Sequence, residues 1–388
     1  MTSIERIYLD HAATTPVRPE VIEAMLPYFA QNGYNASSVH AEGRAARAAL
    51  DGARDRVARC LGAKSKEIVF TAGGSEADNL ALIGAARALR GRGRHIVSTA
   101  TEHHAILHAL DSLREDGWDV TLLAVDSDGA VAPDAFASAL RTDTVLASVM
   151  YVNNEIGTIQ PIAQLAALAH ERGALFHTDA VQAAAYLPLD VAGLGVDLLS
   201  LAAHKFYGPK GVGLLYVREG TPLVPILHGG SQEFAKRAGT ENVAGIAGLA
   251  AALELAMDER TTCAGRIATL RNRFEQRVLE RIAGVRVNGA GAMRAPHVSN
   301  LSFLDLTSEQ LLMRLDIDGI AVSAGSACAS GAVEPSHVIA ALGLPEPWMR
   351  GVIRFSLGRT TTQVQVDRTA EVLEQAVSDL RSFSPAQA

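Results

Sequence analysis

A lysine and an aspartate lie where apolar, strand-like segments of this sequence end. Lys205 lies in the turn HKFYGPKG, between the segments DLLSLAA and GVGLLYV, whose side chains would partly desolvate it. Desolvation favours the neutral amine, which is a nucleophile toward carbonyl groups. Asp179 ends the segment LFHTD, and Gln182 follows three residues later. A lysine that forms a Schiff base and an aspartate that pairs with a pyridine nitrogen are what pyridoxal 5'-phosphate (PLP) requires of a protein.

Each of these two residues also has an ordinary interpretation. Lys205 alone would be a surface-turn lysine, like Lys210 in the same turn, and Asp179 alone would be a helix N-cap. The pair indicates a PLP site more strongly than either member does.

The segment FTAGGSEADNLAL predicts a cradle for the phosphate of such a cofactor. A strand, the two glycines Gly73 and Gly74, and Ser75 at a helix start would direct backbone N–H groups and the positive helix end toward an anion. An ordinary capping turn is the alternative. The next strand leads into His103 and His104. Adjacent histidines diverge in direction and have no carboxylate cluster beside them, so a ring stacked on the cofactor is favoured over a metal ligand.

Cys328 lies among small residues in VSAGSACASG. Small neighbours leave its sulfur uncovered, which suits a thiol that enters a pocket and leaves it again. The alternative is a small core residue under a loop. Cys60 lies in the apolar stretch RVARCLGA, and Cys263 in the polar stretch DERTTCAGR. Three scattered cysteines form neither a disulfide framework nor a CxxC metal site, so a working thiol is expected.

The elements that must position these residues are seven apolar strands separated by alanine-rich helical segments, from about residue 67 to 217. This alternation predicts an α/β fold with a mostly parallel sheet covered on both faces, where ligands collect at the carboxyl ends of the strands. Two long helices are then expected to reach Ile282, followed by shorter strands and helices. We therefore predict a large domain, 16–260, and a smaller α+β domain, 1–15 and 261–388, which carries Cys328.

Charge and hydropathy exclude several classes of partner. The net charge is −7 and the pI about 6.0, so no basic surface for nucleic acid or an anionic membrane is expected. The first residues do not resemble a signal peptide, and the most apolar helical run, VAGIAGLAAALELAM, is too short to cross a bilayer. A cytoplasmic protein is expected.

Nine motifs in order resemble the class V aminotransferase family of fold type I PLP enzymes, and most closely its NifS/IscS group of cysteine desulfurases. They cover essentially the whole chain: YLDHAATTP, FTAGGSEADNLAL, TEHHAIL, VNNEIGTIQPI, HTDAVQ, HKFYGPKGVG, RAGTENV, SAGSACASGAVEPSHV and IRFSLGR.

The resemblance implies a role for each matching residue. Lys205 would hold PLP and act as a base, Asp179 would pair with the pyridine nitrogen, and Gln182 would hydrogen-bond the ring hydroxyl. His103 would stack on the ring and help to move protons. The phosphate would contact Gly74, Ser75 and His204, and Thr240 from the second subunit of a homodimer. The substrate site would contain Asn35, Asn154 and Arg354, with Asn154 also near the cofactor.

The sequence departs from the family pattern in two places. Ala202 stands where the family often has a hydroxyl residue, so one phosphate hydrogen bond is expected to be missing. The family's Asn-Pro-Ser-Ser pattern is NASS here, residues 35–38. Both changes concern phosphate or substrate contacts rather than the chemistry.

The implied reaction converts L-cysteine to L-alanine and leaves the sulfur on Cys328 as a persulfide, for a sulfur acceptor or an iron–sulfur scaffold protein. No metal site is expected, apart from Cys328 as a transient ligand of an iron–sulfur cluster. Three alternatives stay open at this point. A selenocysteine lyase would use the same site, an aminotransferase for small amino acids would need no mobile cysteine, and a sulfur-carrier docking scaffold would have lost catalysis.

Overall fold

The computed structural model describes residues 6–30, 32–325 and 335–383; Cys328 lies outside the described residues. The strands are β1 Ile7–Tyr8, β2 Ile68–Thr71, β3 His95–Thr99, β4 Asp119–Leu123, β5 Thr144–Ser148, β6 Leu175–Asp179, β7 Leu198–Ala202, β8 Gly213–Val217, β9 Val285–Val287, β10 Val298–Phe303, β11 Ile320–Ala321 and β12 Val352–Ser356. The α-helices are α1 Pro19–Met25, α2 Ala41–Leu61, α3 Gly74–Leu89, α4 His104–Glu115, α5 Pro133–Ala139, α6 Ile162–Glu171, α7 Val191–Leu194, α8 Val243–Arg281, α9 Ser308–Ile317, α10 His337–Ala341, α11 Glu346–Met349 and α12 Gln363–Phe383.

The central element is a seven-stranded sheet in the order β2-β8-β7-β6-β5-β3-β4. Only β8 runs antiparallel to its neighbours β2 and β7; the other pairings within this sheet are parallel. All seven strands expected from the sequence are present, so the predicted α/β fold class is confirmed. Parallel strands bring their carboxyl ends to one edge, where β2, β3, β5, β6 and β7 lead into the loops that form the site described below.

Side chains of successive strand residues point to opposite faces of this sheet, and each face is covered. In β8, Leu214 and Tyr216 belong to one hydrophobic cluster and Leu215 and Val217 to another. The first cluster contains residues of α2, α6 and the first part of α8, and the second contains residues of α3 and α4. Burial on both faces explains why these strands are continuously apolar in the sequence.

A separate hydrophobic cluster lies around the three-stranded antiparallel sheet β12-β10-β9. It includes residues of α9, α12 and the second part of α8. Helix α8 therefore contributes to two cores, with Ala256 in the first and Ile267 in the second. The predicted boundary near residue 260 falls between them and stays a prediction.

The expectation of two long helices before Ile282 is wrong, because α8 is one helix of 39 residues. The polar stretch DERTTCAGR lies within this helix. It contains no proline, and Gly265 has helical neighbours and open space around it. Polar residues at the junction between two cores can face solvent without ending a helix.

The chain's first strand belongs with the later part of the sequence. β1 pairs in parallel with β11, and Leu9 packs in the same cluster as β10 and β12. The segment that follows β1 then crosses toward the large sheet, where Thr15 N donates to the carbonyl of His204 at 2.9 Å. Among the described residues, no helix combines the length and the hydropathy needed to cross a bilayer.

Candidate active site

A cavity of about 310 Å³ lies at the carboxyl ends of the parallel strands. This volume suits a small ligand or cofactor. It is lined by most of the residues predicted from the sequence: Gly74, Ser75, His103, Asn154, Asp179, Gln182, His204, Lys205 and Arg354.

Lys205 ends a short 3-10 turn, Ala203–Lys205, that directly follows β7. Its side chain is half-buried, and its Nζ atom donates hydrogen bonds to the carbonyl oxygens of Ala12 at 2.6 Å and Ala13 at 2.8 Å. The amine is therefore held in the cavity by backbone from the beginning of the chain. Sequence reasoning identified the lysine but not these carbonyl groups, because a backbone acceptor leaves no trace in residue type.

Asp179 is the last residue of β6 and is 6% exposed. Its Oδ1 atom accepts a hydrogen bond from the backbone N–H of Val181 at 2.9 Å. Burial raises the pKa of this carboxyl group, and His103, the Val181 N–H and Lys205 oppose that rise. A buried carboxylate is stabilised by a cation beside it, which a protonated pyridine nitrogen would supply.

Gln182 lies one turn beyond Asp179 and is held at both ends of its amide. Nε2 donates to the carbonyl of Ala12 at 2.8 Å, and Oε1 lies 3.4 Å from Nε2 of His297. His297 is itself stacked on Tyr186, with ring centroids 4.1 Å apart. The amide therefore has a fixed orientation toward the cavity.

The predicted phosphate end is formed by the start of α3 and by the turn after β7. A Cβ atom on Gly74 would lie 3.0 Å from Cγ2 of Val181 and 3.4 Å from Cβ of Ala202, so a side chain there would require these neighbours or the helix start to shift by a few tenths of an ångström. Ser75 lies exposed in the first turn of α3. The helix thus presents free N–H groups and its positive end to the cavity.

His204 lies beside this helix start, with its Nδ1 atom 3.2 Å from Oγ1 of Thr14. Burial, followed by Lys205 and Lys210, lowers the pKa of His204 to about 4. The ring is therefore neutral at physiological pH and can act as a hydrogen-bond partner without adding a charge.

His103 is the N-cap residue of α4, and its Nδ1 atom accepts a hydrogen bond from the N–H of Ala105 at 3.1 Å. Burial lowers the pKa of His103, and Asp179 opposes this effect. Because Nδ1 accepts this bond, the neutral ring carries its proton on Nε2. Nε2 is thus the atom through which His103 can exchange a proton.

Arg354 lies in the middle of β12 and is only 2% exposed. One terminal nitrogen donates to the carbonyl of Asn154 at 2.9 Å, and the other donates to Oδ1 of Asp10 at 2.8 Å. The Nε atom is buried without a hydrogen-bond partner among the described residues. The sequence did not indicate the ion pair with Asp10, which fixes the guanidinium group at the wall of the cavity.

Two predicted residues do not line this cavity. Asn35 is exposed, and its side chain accepts a hydrogen bond from the N–H of Ser37 at 2.8 Å. Thr240 is exposed and borders a different, smaller cavity of about 120 Å³ together with Arg237 and Glu241. Their roles, and that of Cys328 outside the described residues, stay predictions.

Three buried carboxyl groups near the cavity were missed. Asp78 of α3 and Glu155 line it. Glu102 contacts the lining residue Met150, accepting hydrogen bonds from Oγ1 of Thr99 at 2.7 Å and from the N–H of Met150 at 2.9 Å. Burial raises the pKa of Glu102 to about 8. The only sequence signal was their place inside the motifs SEADN, TEHH and VNNE, since burial cannot be seen in residue type.

The histidines of this region are not arranged as a metal site. Ring centroids of His104 lie 4.7 Å from His337 and 5.1 Å from His108. Within the described ranges, no group of three or more His, Cys, Asp or Glu side chains is placed to hold a metal ion.

PLP fits the residues that are present. Lys205 offers the amine that would hold it, Asp179 a buried carboxyl group for its ring nitrogen, and the crowded Gly74 position a helix start for its phosphate. A seven-stranded α/β sheet with a lysine, an aspartate and a helix start at the carboxyl ends of its strands defines a fold type I PLP-dependent enzyme.

The chain belongs to the aminotransferase class-V family, which matches residues 7–369. A relative named cysteine desulfurase IscS from Dictyoglomus turgidum is 49% identical over 379 residues, which cover 98% of this chain and 96% of the relative. These matches confirm the predicted family.

Two solved structures are also similar over nearly the whole chain. A NifS-like protein has a TM-score of 0.91 and 34% identity, covering 96% of this chain and 100% of its own. The structure of SspA in complex with cysteine has a TM-score of 0.81 and 35% identity, covering 92% of this chain and 99% of its own. The predicted fold type and PLP dependence are likewise confirmed.

Proposed function

We propose that this protein is a PLP-dependent cysteine desulfurase that converts L-cysteine to L-alanine and transfers the sulfur to Cys328. The observation that carries the proposal is the placement of the Lys205 amine and the Asp179 carboxyl group in one cavity, with Arg354 at its wall. The relative from Dictyoglomus turgidum is named cysteine desulfurase, and SspA binds cysteine in its solved structure. The predicted activity agrees with both.

The residues of the cavity divide the work between binding and proton movement. Bound PLP supplies an electron sink for the α-carbon of the amino acid. Arg354 and Asn154 bind the substrate carboxylate, the guanidinium group by its planar fork. The amine of Lys205 removes the α-proton, and Nε2 of His103 exchanges a proton with the reacting groups. Asp179 would hold the ring nitrogen of PLP by its negative charge.

The sulfur step is a transfer between two sulfur atoms. The thiolate of Cys328 attacks the substrate sulfur, an S–S bond forms, and the Cβ–S bond of the substrate breaks. The β-carbon is reduced and receives a proton to become the methyl group of alanine, while the two sulfur atoms are oxidised to a persulfide. No external oxidant is consumed. The persulfide then passes its outer sulfur to an acceptor or to an iron–sulfur scaffold protein.

The proposal also covers the oligomeric state, the roles of Thr240 and Asn35, and the cellular compartment. The enzyme is a homodimer in which Thr240 of one subunit reaches the phosphate site of the other, and Asn35 contributes to the substrate site. It works in the cytoplasm. These statements rest on the resemblance of the motifs and on the position of Thr240 outside the cavity of its own chain.

The deciding experiment is peptide-resolved mass spectrometry after the PLP-loaded protein has reacted with L-cysteine. The Cys328 peptide is expected to gain one sulfur atom, and L-alanine is expected to form in step with it. Cys328→Ala should still bind L-cysteine but release sulfide at less than about a hundredth of the parent rate, because the attacking thiolate is gone.

Cys263→Ala is the matched control. Burial raises the pKa of the Cys263 thiol, which makes it a poor nucleophile, so its removal should leave the rate unchanged. A fully active Cys328→Ala protein, or transfer of the amino group to a keto acid in place of sulfide release, would contradict the proposed function.

A further inference from the structure

Glu155 is a buried carboxyl group that the proposed chemistry does not use. It follows Asn154 at the wall of the cavity and is 1% exposed. Its backbone is fixed from two sides. The N–H groups of Glu155 and Ile156 donate to Oδ1 of Asn153 at 2.9 and 3.0 Å, and the carbonyl of Glu155 accepts from Nδ2 of Asn300 at 3.1 Å. The side chain therefore starts from a rigid point.

One oxygen of this carboxyl group contacts two distant parts of the chain. Oε2 accepts a hydrogen bond from Oγ of Ser336 at 2.6 Å. The same atom would lie 2.5 Å from a Cβ atom on Gly325, so it packs directly against that glycine. Gly325 has φ +103°, a conformation that favours glycine, and its close contact also requires one.

Both contacts are at the borders of the chain segment that contains Cys328. Gly325 is the last described residue before 326–334, and Ser336 is the second described residue after it. Each border is also attached elsewhere. The carbonyl of Gly325 accepts from Arg354 at 3.3 Å, and the Ser336 hydroxyl caps α10 by accepting from the N–H of Ile339 at 3.2 Å. The next residue, His337, lies with Nε2 2.8 Å from the carbonyl oxygen of Glu102.

A direct role of Glu155 in binding the substrate is disfavoured by charge. A carboxylate beside Arg354 would repel the carboxylate of an amino acid. Burial raises the pKa of Glu155, while Ser336 and Arg354 oppose that rise. The hydrogen bond from Ser336 and the contact with Gly325 leave Oε2 committed to the protein.

We propose that Glu155 is a positioning residue, which joins Gly325 and Ser336 and so holds the two chain positions that flank the segment containing Cys328 in the sequence. The inference rests on the proposed function. Fixing the two ends of a segment reduces the conformations that its middle can adopt. Displacement of reacting groups by about 1 Å can slow a reaction about a hundredfold, so lost end points should slow sulfur transfer without weakening substrate binding.

The test compares four single variants of the PLP-loaded protein and the double variant Glu155→Ala, Ser336→Ala. Glu155→Ala removes both contacts, Ser336→Ala removes the hydrogen bond to Glu155 together with the cap of α10, and Glu155→Gln keeps an oxygen that accepts from Ser336. Ser308→Ala is the matched control, since that hydroxyl donates to the carbonyl of Arg350 and accepts from the N–H of Val352 away from the cavity. Two quantities are measured in a single turnover: L-cysteine binding, by the absorbance change of the cofactor, and the rate at which the Cys328 peptide gains sulfur.

The alanine variants at 155 and 336 are expected to bind L-cysteine within about twofold of the parent affinity but to transfer sulfur at least about tenfold more slowly. Glu155→Gln and Ser308→Ala should transfer sulfur within about threefold of the parent rate. Because Glu155 and Ser336 act through one contact, Ser336→Ala should add no further loss to Glu155→Ala.

Several results would overturn the inference. Parent-like transfer in both alanine variants would exclude a positioning role, and so would equal loss of L-cysteine binding and transfer. Loss in Glu155→Gln as large as in Glu155→Ala would assign the effect to charge instead. A parent protein that gains no sulfur on Cys328 would refute the proposed function itself, which separates the two failures.

Discussion

At the scale of single residues, two aspartates near the cavity differ in whether their carboxyl groups are expected to carry a negative charge. Burial raises the pKa of Asp78 well above its usual range, and Asp179 raises it further. Burial also raises the pKa of Asp179, but His103, the Val181 N–H and Lys205 oppose that rise. Two adjacent buried carboxyl groups are not both ionised without cations. We therefore assign the negative charge to Asp179, where His103, the Val181 N–H and Lys205 favour it, and not to Asp78.

This assignment predicts different outcomes for the same substitution. Asp179→Asn should lower kcat by at least about a hundredfold, because an amide carries no charge to stabilise a cationic ring nitrogen. Asp78→Asn should change kcat by no more than about threefold, because an amide resembles a neutral carboxyl group in shape and charge. Steady-state formation of L-alanine measures both.

The reverse order of sensitivity would contradict the assignment. Equal loss in both variants would indicate that the two carboxyl groups act as one ionised unit. The absorbance spectrum of each PLP-loaded variant supplies a second readout, since Asp179→Asn alone should alter the spectrum of the bound cofactor.

From the sequence, the residues that would carry out the chemistry could be predicted better than the groups that contact them. Lys205, Asp179 and Gln182 are residue types that can do chemistry, and they lie at or just after the ends of strands. All three line one cavity. The carbonyls of Ala12 and Ala13 could not be predicted, because they depend on a chain crossing almost two hundred residues away. Glu155 lies within the motif VNNEIGTIQPI, but the burial of its side chain depends on the fold and cannot be seen in the sequence.

At the scale of elements, the start of α3 is the part of the site most sensitive to backbone position. Gly73 and Gly74 are adjacent, but their surroundings differ. A Cβ atom on Gly73 would meet nothing within 4 Å, whereas one on Gly74 would meet Val181 and Ala202. Only the second glycine is required by close approach.

Gly74→Ala is therefore expected to shift the helix start and to weaken PLP binding by about tenfold or more, because the N–H groups would no longer point at the phosphate. Gly73→Ala is the control and should bind PLP within about threefold of the parent affinity. Titration of the PLP-free protein, followed by cofactor absorbance, measures both affinities. Equal weakening in the two variants would show that glycine flexibility, and not space, matters here.

Elements with one strong pattern were predicted correctly, and the element that joins two cores was not. The seven apolar strands each lie between two covered faces, so their hydropathy is unambiguous. Helix α8 changes its buried face where it passes from one core to the other, and its polar middle resembles a connection. Local pattern cannot distinguish a helix that continues between two cores from two helices joined by a turn.

At the scale of the whole molecule, buried histidines determine how folding stability depends on pH. Burial lowers the pKa of His177 and of His297 to about 3, below the ordinary value of 6.5. The unfolded chain therefore binds protons that the folded chain excludes. Their contribution to stability is complete above pH 6.5 and is lost as the pH falls toward 3.

His297→Phe should make the protein less sensitive to acid. The substitution keeps a ring against Tyr186 and removes one group that the unfolded state protonates. The slope of the free energy of unfolding against pH should fall by about 1.4 kcal/mol per pH unit between pH 6 and pH 4. Denaturant unfolding at several pH values measures it. An unchanged slope in His297→Phe would place a charged ring in the folded state.

The proposed dimer makes the final prediction, which concerns how two chains share a site. Thr240 is exposed and lies outside the cavity that contains Lys205 of its own chain. If it reaches the phosphate in the partner's cavity, an acidic side chain there would repel the phosphate. Thr240→Asp and Lys205→Ala should therefore each inactivate a homodimer.

A mixed dimer of these two variants should recover about half of the parent activity, because one of its two sites receives both defects and the other receives neither. Purification through two different affinity tags isolates this species for assay. A mixed dimer of Lys205→Ala with Asp179→Asn is the control and should stay inactive, because both residues line one cavity of the same chain and each site keeps one defect. Absence of recovery with Thr240→Asp would mean that Thr240 acts within its own chain, and an active Thr240→Asp homodimer would mean that it does not reach the phosphate at all. The shared site, and with it the need for two copies, would then be excluded.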